Sequence, residues 1–350
     1  MSVNQSLLTP DEFRDRALAR RAGLCCVPGC GAQAQAAHRL LDGRLWPDGG
    51  YYLDNGVPLC NKHQDEAAST ALPVEQLRSW CGIQAPVLPP QFEEGERLDA
   101  WGNPVLPSGQ RLRGELFLEP DVQDHLARGG FLDRFTHWCK YPRTYHMPFS
   151  PGASSDDKIL PGLDHFRGRR VIGTIKKDGE NATLYRDHYH ARSLNSKHHP
   201  SRDWIKGFWN AVRHDIPEEW RVCGENLFAR HSIGYTDLRS FFYGFSVWNE
   251  RNVCLDWDAT LEWFSLIGSS AGLHIEPVEM VYDGLFDEQA VRRICEDLVG
   301  RGEEGMVLRV ADAFAYRDFR YSAAKYVRAD HVQTDGHWMH REVVPNGLAG

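Results

Sequence analysis

The sequence predicts an α+β protein built on antiparallel sheets with flanking helices, preceded by a small cysteine-rich module. Three observations predict it. From about Gly114 onward, short apolar runs alternate with Gly, Asp and Asn turns (RRVIGTI, ATLYRD, RVCGENLF, SFFYGFSVWN, GMVLRV), the pattern of strands joined by tight connections. Between those runs, DWIKGFWNAVRHDI, LEWFSLIGSSAGL and DEQAVRRICEDLVGRG read as helices. In the last of them Val291, Ile294, Cys295 and Leu298 recur at helical spacing, with acidic residues in the first turn and a Gly beyond the end. Finally, four of the nine cysteines, Cys25, Cys26, Cys30 and Cys60, fall within the first sixty residues.

With 350 residues, 42% hydrophobic content, 11 tryptophans and 16 phenylalanines, the chain has room for two or three domains with substantial cores. Composition shifts near residue 85, where QAPVLPPQFEEGERLDAWGNPVLPSGQ collects Pro, Gly and charge without an apolar period. The expected division is therefore a module over 1–85, a linker or extended arm over 86–113 and a larger domain over 114–350. A net charge of −8 argues against nonspecific coating of nucleic acid, although the basic stretch RSLNSKHHPSR at 192–202 reads as a phosphate-binding strip. No apolar run approaches the roughly 18 residues of a membrane span, and MSVNQSLLTPDEFRDRALARR is polar and helix-like. A cytoplasmic protein without a membrane partner is expected.

An odd number of cysteines without an export signal directs attention to metal ligation rather than disulfides. CCVPGC (25–30) and CNKH (60–63) each close a tight turn, and two such knuckles make a tetrahedral Zn²⁺ site. The expected ligands are Cys25, Cys30, Cys60 and His63, with Cys26 as the alternative first ligand and buried, inert cysteines as the competing reading. The segment between the knuckles, AAHRLLDGRLWPDGGYYLDNGVPLCNKHQ, resembles the HNH endonuclease family, which implies a ββα module. The family's His-His or Asp-His pair appears here as His38-Arg39, its later Asn as Asn55, and its final His as Gln64 after His63. Arg39 and Gln64 replace the general base and a metal ligand, so the expectation is a zinc-stabilised module that binds nucleic acid or packs on its neighbour rather than a nuclease.

The stretch TIKKDGENATLYRD places Lys176 and Lys177 before Asp178-Gly179, and taken alone it reads as a hairpin turn. Downstream, in order, come HARSLNSKHHPSR, RVCGENLFARHS, SFFYGFSVWNE, GEEGMVLRV and SAAKYVR. This ordered set, over 140–328, resembles the covalent nucleotidyltransferase superfamily of ATP-dependent ligases and capping enzymes, nearest to the RNA ligases of phages and bacteria.

The resemblance implies an adenylation domain in which Lys176 attacks the α-phosphorus of ATP to form lysyl-AMP. Such a nucleophile must be a neutral amine, so its pKa must fall, through burial or neighbouring cations. Lys177 takes the variable position, solvated or phosphate-facing, and Gly179 lets the turn approach the nucleotide. Arg192 is implied at the ribose or phosphate, Glu225 at the ribose hydroxyls, and Phe245 stacked on adenine, with Asp178 and Arg328 also at the nucleotide. Glu304 is implied to place Mg²⁺ or Mn²⁺, with Glu303 as competitor, and Lys325 to neutralise charge at the α-phosphate.

Two positions depart from the pattern. Val327 stands where phage relatives often carry a second lysine, and Ile175 where some carry Glu. About two dozen residues follow Arg328, too few for the OB domain of DNA ligases and capping enzymes. The expected activity is ATP-dependent sealing of a 5′-phosphate to a 3′-hydroxyl, on RNA ahead of DNA. The competing readings are a zinc-dependent nucleic-acid-binding or nicking protein whose ligase-like domain senses nucleotide, and a DNA nick ligase.

Overall fold

The computed structural model describes residues 6–84, 87–92, 94–154, 157–194, 199–329 and 343–350. Its contacts divide the chain into two units that meet between Cys139 and Lys140. The first holds helix α1 (Pro10–Ala19), strands β1 (Ala36–Arg39) and β2 (Gly56–Leu59), helices α2 (Asn61–Ala68) and α3 (Val74–Trp80), strand β3 (Arg111–Leu112), helix α4 (Pro120–Arg128) and strand β4 (Phe135–Thr136). Helix α1 starts where a capping box allows it to: the Thr9 hydroxyl accepts from the Glu12 N–H, and the Glu12 carboxylate accepts from the Thr9 N–H. Strands β1 and β2 pair antiparallel and run into α2, giving the ββα order expected between the knuckles.

Residues expected to form a linker are instead part of this unit. Leu98, Ala100 and Trp101 are buried in one cluster with Leu41, Val57 and Leu126. The buried Asp99 carboxylate lies 3.0 Å from Arg111, and the Trp101 indole N–H donates to the Ala68 carbonyl. The segment 86–113 has no apolar period because its anchors act one at a time between Pro and Gly turns. The expected boundary at 85 falls on residues outside those described, and no division appears at 113.

The second unit comprises β5 (Tyr145–His146), β6 (Arg170–Lys176), β7 (Glu180–Tyr185), β8 (Tyr189–Ala191), α5 (Asp203–Val212), β9 (Arg221–Asn226), β10 (Phe242–Trp248), β11 (Val253–Cys254), α6 (Trp257–Leu266), β12 (Glu276–Pro277), β13 (Met280–Leu285), α7 (Glu288–Gly300), β14 (Gly305–Val310), β15 (Phe314–Ala315) and β16 (Ala323–Val327). One sheet has the order β13-β6-β14-β16-β5, and the other β15-β11-β10-β9-β7-β8, with β12 beside β10. Pairing is antiparallel except for β16 with β5 and β10 with β12. The α+β class with antiparallel sheet is as the sequence predicts.

Helix α7 forms because Asp287 caps it, accepting from the Gln289 and Ala290 N–H groups, and because Val291, Cys295 and Leu298 fall on one buried stripe. That stripe packs with Val171 and Ile175 of β6 and Met306 and Leu308 of β14. On the other sheet, Ile205, Trp209 and Val212 of α5 cover Leu184, Val222 and Phe242. Among the described residues no helix is long and apolar enough to cross a membrane.

Candidate functional site

Strand β6 pairs with β13 and β14, whereas β7 pairs with β8 and β9. The Lys-Lys-Asp-Gly turn is therefore a crossover between two sheets and not the hairpin its composition signals. Lys176 ends one sheet, and four residues later Glu180 begins the next. Gly179 is required here for a reason other than the expected one. A Cβ would lie 2.6 Å from both the Asn226 carbonyl oxygen and Leu227 Cδ2, so the glycine lets the turn abut the end of β9.

Asp178 fastens this turn. Its Oδ2 accepts from the Ser232 hydroxyl at 2.6 Å and the Ile233 N–H at 2.7 Å, and its own N–H donates to the Tyr235 hydroxyl at 3.0 Å. The Asp178 carboxylate thus holds the protein's own loop. Lys177 is not solvated: its side chain is 10% exposed, lies 3.8 Å from Glu303 and sits over the Tyr235 ring.

Lys176 Nζ lies 2.6 Å from Glu304 Oε2, across 128 residues of sequence. The register explains the contact, since Gly305 pairs with Lys176 and so brings the preceding Glu304 to the lysine. A Cβ on Gly305 would lie 1.9 Å from the Tyr326 carbonyl oxygen, so only glycine lets β14 begin this close to β16. Glu304 is fully buried.

Charge is crowded around the amine. Burial drives Lys176 down, but Glu304, Glu225 and Asp178 together raise its pKa above the ordinary lysine value. In the free protein the amine is held protonated, the opposite of what nucleophilic attack requires. Glu225, on β9, is pushed up to about 8 by burial and by the charges of Glu304 and Asp178. Lys325, on β16, is pulled down to about 8 by burial and by Lys176. Glu304 offers the oxygen a hard divalent cation prefers, although among the described residues no three carboxylates lie within mutual ligand range.

The remaining expected residues are less central. Phe245 is half-buried and stands edge-to-face with Tyr141, ring centroids 5.1 Å apart. Arg192 follows β8 on an exposed position, and its charge reaches Lys325. The Arg328 N–H donates to the Glu304 carbonyl at 3.0 Å. Residues 195–198 of the basic stretch lie outside those described.

Sequence reasoning missed Tyr141, Tyr235 and the group His146, Ser150 and Asp157, which stands beside Lys325. The last follows from the parallel pairing of two-residue β5 with β16, which aligns His146 with Lys325. So short a strand has no periodicity to detect.

In the first unit the ligand atoms of Cys25, Cys30, Cys60 and His63 all lie within 4.8 Å of one another. His63 Nδ1 is 3.3 Å from the sulfurs of Cys25 and Cys60, and Cys30 Sγ is 3.9 Å from Cys60 Sγ. Tetrahedral zinc with three sulfurs and one nitrogen has ligand–ligand edges of about 3.5–3.8 Å, so this set fits the ion. Cys60 occupies the residue before α2, and the nearby His63 backbone N–H is the chief influence lowering its thiol. Cys26 is engaged elsewhere, its thiol pushed up by a hydrogen bond with Cys81 and by burial. The geometry thus selects Cys25 over Cys26.

Asn55 is spent on structure. It accepts from the Leu41 N–H and donates to the Leu41 and Gly50 carbonyls. Arg39 donates to the Gly49 carbonyl, and His38 is pulled down to about 4 by burial and by Arg39.

Residues 169–327, which carry Lys176, Arg192, Glu225, Phe245, Glu304 and Lys325, match the family model described as RNA ligase. No curated protein matches the chain. Among solved structures it is similar to a Naegleria gruberi RNA ligase variant with ATP and Mn, at 15% identity and a TM-score of 0.39, over 55% of this chain and 57% of that one. It is also similar to Naegleria gruberi RNA ligase with PPi, at 17% and 0.37, over 55% and 56%. A third is an archaeal ATP-dependent RNA ligase, at 16% and 0.39, over 55% and 48%. The chain spans about half the length of these proteins. The family match spans 169–327, less than half of the 350-residue chain.

Proposed function

We propose that this protein is an ATP-dependent RNA ligase that works through a covalent lysyl-AMP at Lys176. The observation that carries the reading is the convergence of Lys176, Glu225, Glu304 and Lys325 on one partly buried cluster of charge within the segment that matches the RNA ligase family model. In the first step Lys176 Nζ bonds to the α-phosphorus of ATP and the bond to pyrophosphate breaks. In the second, an RNA 5′-phosphate oxygen displaces the lysine and takes the AMP. In the third, a 3′-hydroxyl attacks that 5′-phosphate and AMP leaves.

The free-protein geometry defines what must change first. Glu304 contributes the largest attraction that keeps Lys176 protonated, so neutralising its charge leaves burial to drive the amine toward its neutral form. A Mg²⁺ or Mn²⁺ held by Glu304, with Glu303 beside it, would supply that neutralisation and offset charge on the phosphates. Lys325, protonated, faces the α-phosphate. Glu225 receives the ribose hydroxyls, Phe245 stacks on the adenine, and Arg192 and Arg328 meet nucleotide oxygens. Asp178 fixes the turn on which Lys176 rides.

The Cys25, Cys30, Cys60 and His63 cluster is read as a structural zinc site in an HNH-derived ββα module that has lost its nuclease chemistry and contacts the nucleic acid. We read the protein as cytoplasmic, a reading in keeping with nine cysteines outside disulfides and with the proposed use of ATP. The test is incubation with α-labelled ATP and Mg²⁺ followed by denaturation. Acid-labile label on the native chain and none on Lys176→Ala is the expected result. Nucleotide that binds but never survives denaturation would leave the nucleotide-sensing alternative in its place.

A further inference from the structure

The lysines of the second unit have different partners. Lys176 faces Glu304 at 2.6 Å, whereas Lys325 Nζ lies 3.8 Å from Asp157 Oδ1. Asp157 comes from the loop after β5, and its position is built rather than incidental. His146 Nε2, 1% exposed, lies 3.4 Å from the same Asp157 oxygen. The other ring nitrogen, Nδ1, is 2.8 Å from the Ser150 hydroxyl. That hydroxyl oxygen accepts the Val327 N–H at 3.0 Å and lies 3.5 Å from the Val327 carbonyl, to which it donates. His146 Nε2 has no hydrogen-bond partner, so its approach to Asp157 is a packing contact and not a hydrogen bond. Asp157 Oδ2 is fixed by its own loop, accepting from the Ser154 N–H at 3.1 Å and the Ser154 hydroxyl at 2.9 Å, while Oδ1 faces Lys325.

We infer that Asp157, held by Ser154 and packed against His146, is the positioning counter-ion that keeps Lys325 charged and aimed at the reacting phosphate. This rests on the ligase reading above, in which Lys325 neutralises the α-phosphate. The charged groups that bear on Lys325 are Lys176 from β6, Arg192 after β8, Glu304 before β14 and Asp157. Lys176 and Arg192 oppose its charge, and of the two supporting carboxylates Asp157 acts more strongly than Glu304. Burial and Lys176 already bring Lys325 down to about 8, close to the pH at which a ligase must work. His146 stays neutral there, its pKa pulled down to about 4 by burial and by Lys325.

The full chain is labelled with a trace of an amine-reactive reagent from pH 6 to 10, and the Lys325 peptide is quantified by mass spectrometry. In Asp157→Asn the labelling midpoint of Lys325 should fall by roughly one to three pH units, the usual effect of removing an adjacent opposite charge. His146→Gln should move it in the same direction by less, and Asp157→Glu should restore it. Lysyl-AMP formation by Asp157→Asn should then lose its alkaline limb while keeping rate at lower pH. A Lys325 midpoint unchanged in both Asp157→Asn and His146→Gln, or a rate lowered equally at every pH, would overturn the inference. Should the native chain form no lysyl-AMP, the ligase reading fails, yet the midpoints still decide whether Asp157 governs Lys325. If Asp157→Asn does not fold, His146→Gln and Asp157→Glu carry the same measurement.

Discussion

The two units gather charge in opposite ways. In the first, three thiols and an imidazole converge from residues 25–63 with no cation among them. In the second, lysines alternate with carboxylates drawn from residues 157–325, so that Lys176 meets Glu304, Lys177 meets Glu303 and Lys325 meets Asp157. Buried like charges need a counter-charge to be tolerated, and the two clusters differ in where it comes from. On the proposed zinc reading the thiols become thiolates only with the metal, which would supply their counter-charge and couple folding to its binding. The cleft carries its own, so it can fold empty, and a ligand acts by exchanging one set of pairs for another.

The largest effect that tests this contrast is in the cleft. Lys176→Ala should remove lysyl-AMP completely, a loss of more than about 10³-fold, because no other group takes over the nucleophile's bond. Its fold should persist, since the neighbouring carboxylates take up protons when the lysine is gone, and a melting temperature within a few degrees of native checks that. In the first unit the same logic reverses. Cys60→Ser should leave chemistry at Lys176 measurable but strip the metal and unfold the unit. Metal content should drop from one zinc per chain to none, and proteolysis should move to sites before residue 139. A chelator should reproduce this without touching the cleft. A zinc-free native chain that resists proteolysis would remove the contrast.

How much of this could be read from the sequence depends on how local each feature is. Lys176, Glu304 and Glu225 sit in short stretches whose residue types are fixed by their neighbours, and α7 shows an unbroken helical stripe at Val291, Cys295 and Leu298. The Cys25 and Cys60 knuckles are legible for the same reason. Trp101 and Leu98 are not, because isolated anchors among prolines leave no period, and 86–113 therefore reads as a linker. Nor is the crossover at Lys176, since Asp-Gly between apolar runs describes a hairpin equally well and only the pairing of β6 with β14 decides. His146 and Asp157 acquire meaning only from a two-residue parallel pairing.

A smaller effect separates the units by pH. His146 has its pKa pulled down to about 4 by burial and Lys325. A histidine whose folded pKa lies below its unfolded value of 6.5 binds fewer protons when native, so its contribution is complete above pH 6.5 and is lost as pH falls toward 4. The drop of about 2.5 units corresponds to on the order of 3 kcal/mol of stability in the second unit. His146→Gln, which cannot titrate, should flatten the urea-unfolding stability of that unit between pH 6.5 and 4. A slope as steep as native would show that other groups carry the acid sensitivity.

The smallest expected effect concerns Asn346, which is 7% exposed. Its Oδ1 accepts the Tyr235 N–H at 2.9 Å and its Nδ2 donates to the Leu227 carbonyl at 2.7 Å. Backbone hydrogen bonds from Arg230 to Val344 and from Gly347 to Tyr235 lay the surrounding residues along the same loop. That loop carries Ser232, Ile233 and Tyr235, the three groups that fasten Asp178. Asn346→Ala leaves a buried N–H and a buried carbonyl without a side-chain partner, which costs about 1–3 kcal/mol. Because Asp178 keeps its direct hydrogen bonds, lysyl-AMP formation should slow only a few-fold. Asn346→Asp keeps the acceptor and loses the donor, so it should fall between native and alanine. Equal rates in all three proteins would mean that the loop holds the Lys176 turn without help from the residues around Asn346, and that Asp178 is anchored by its own segment alone.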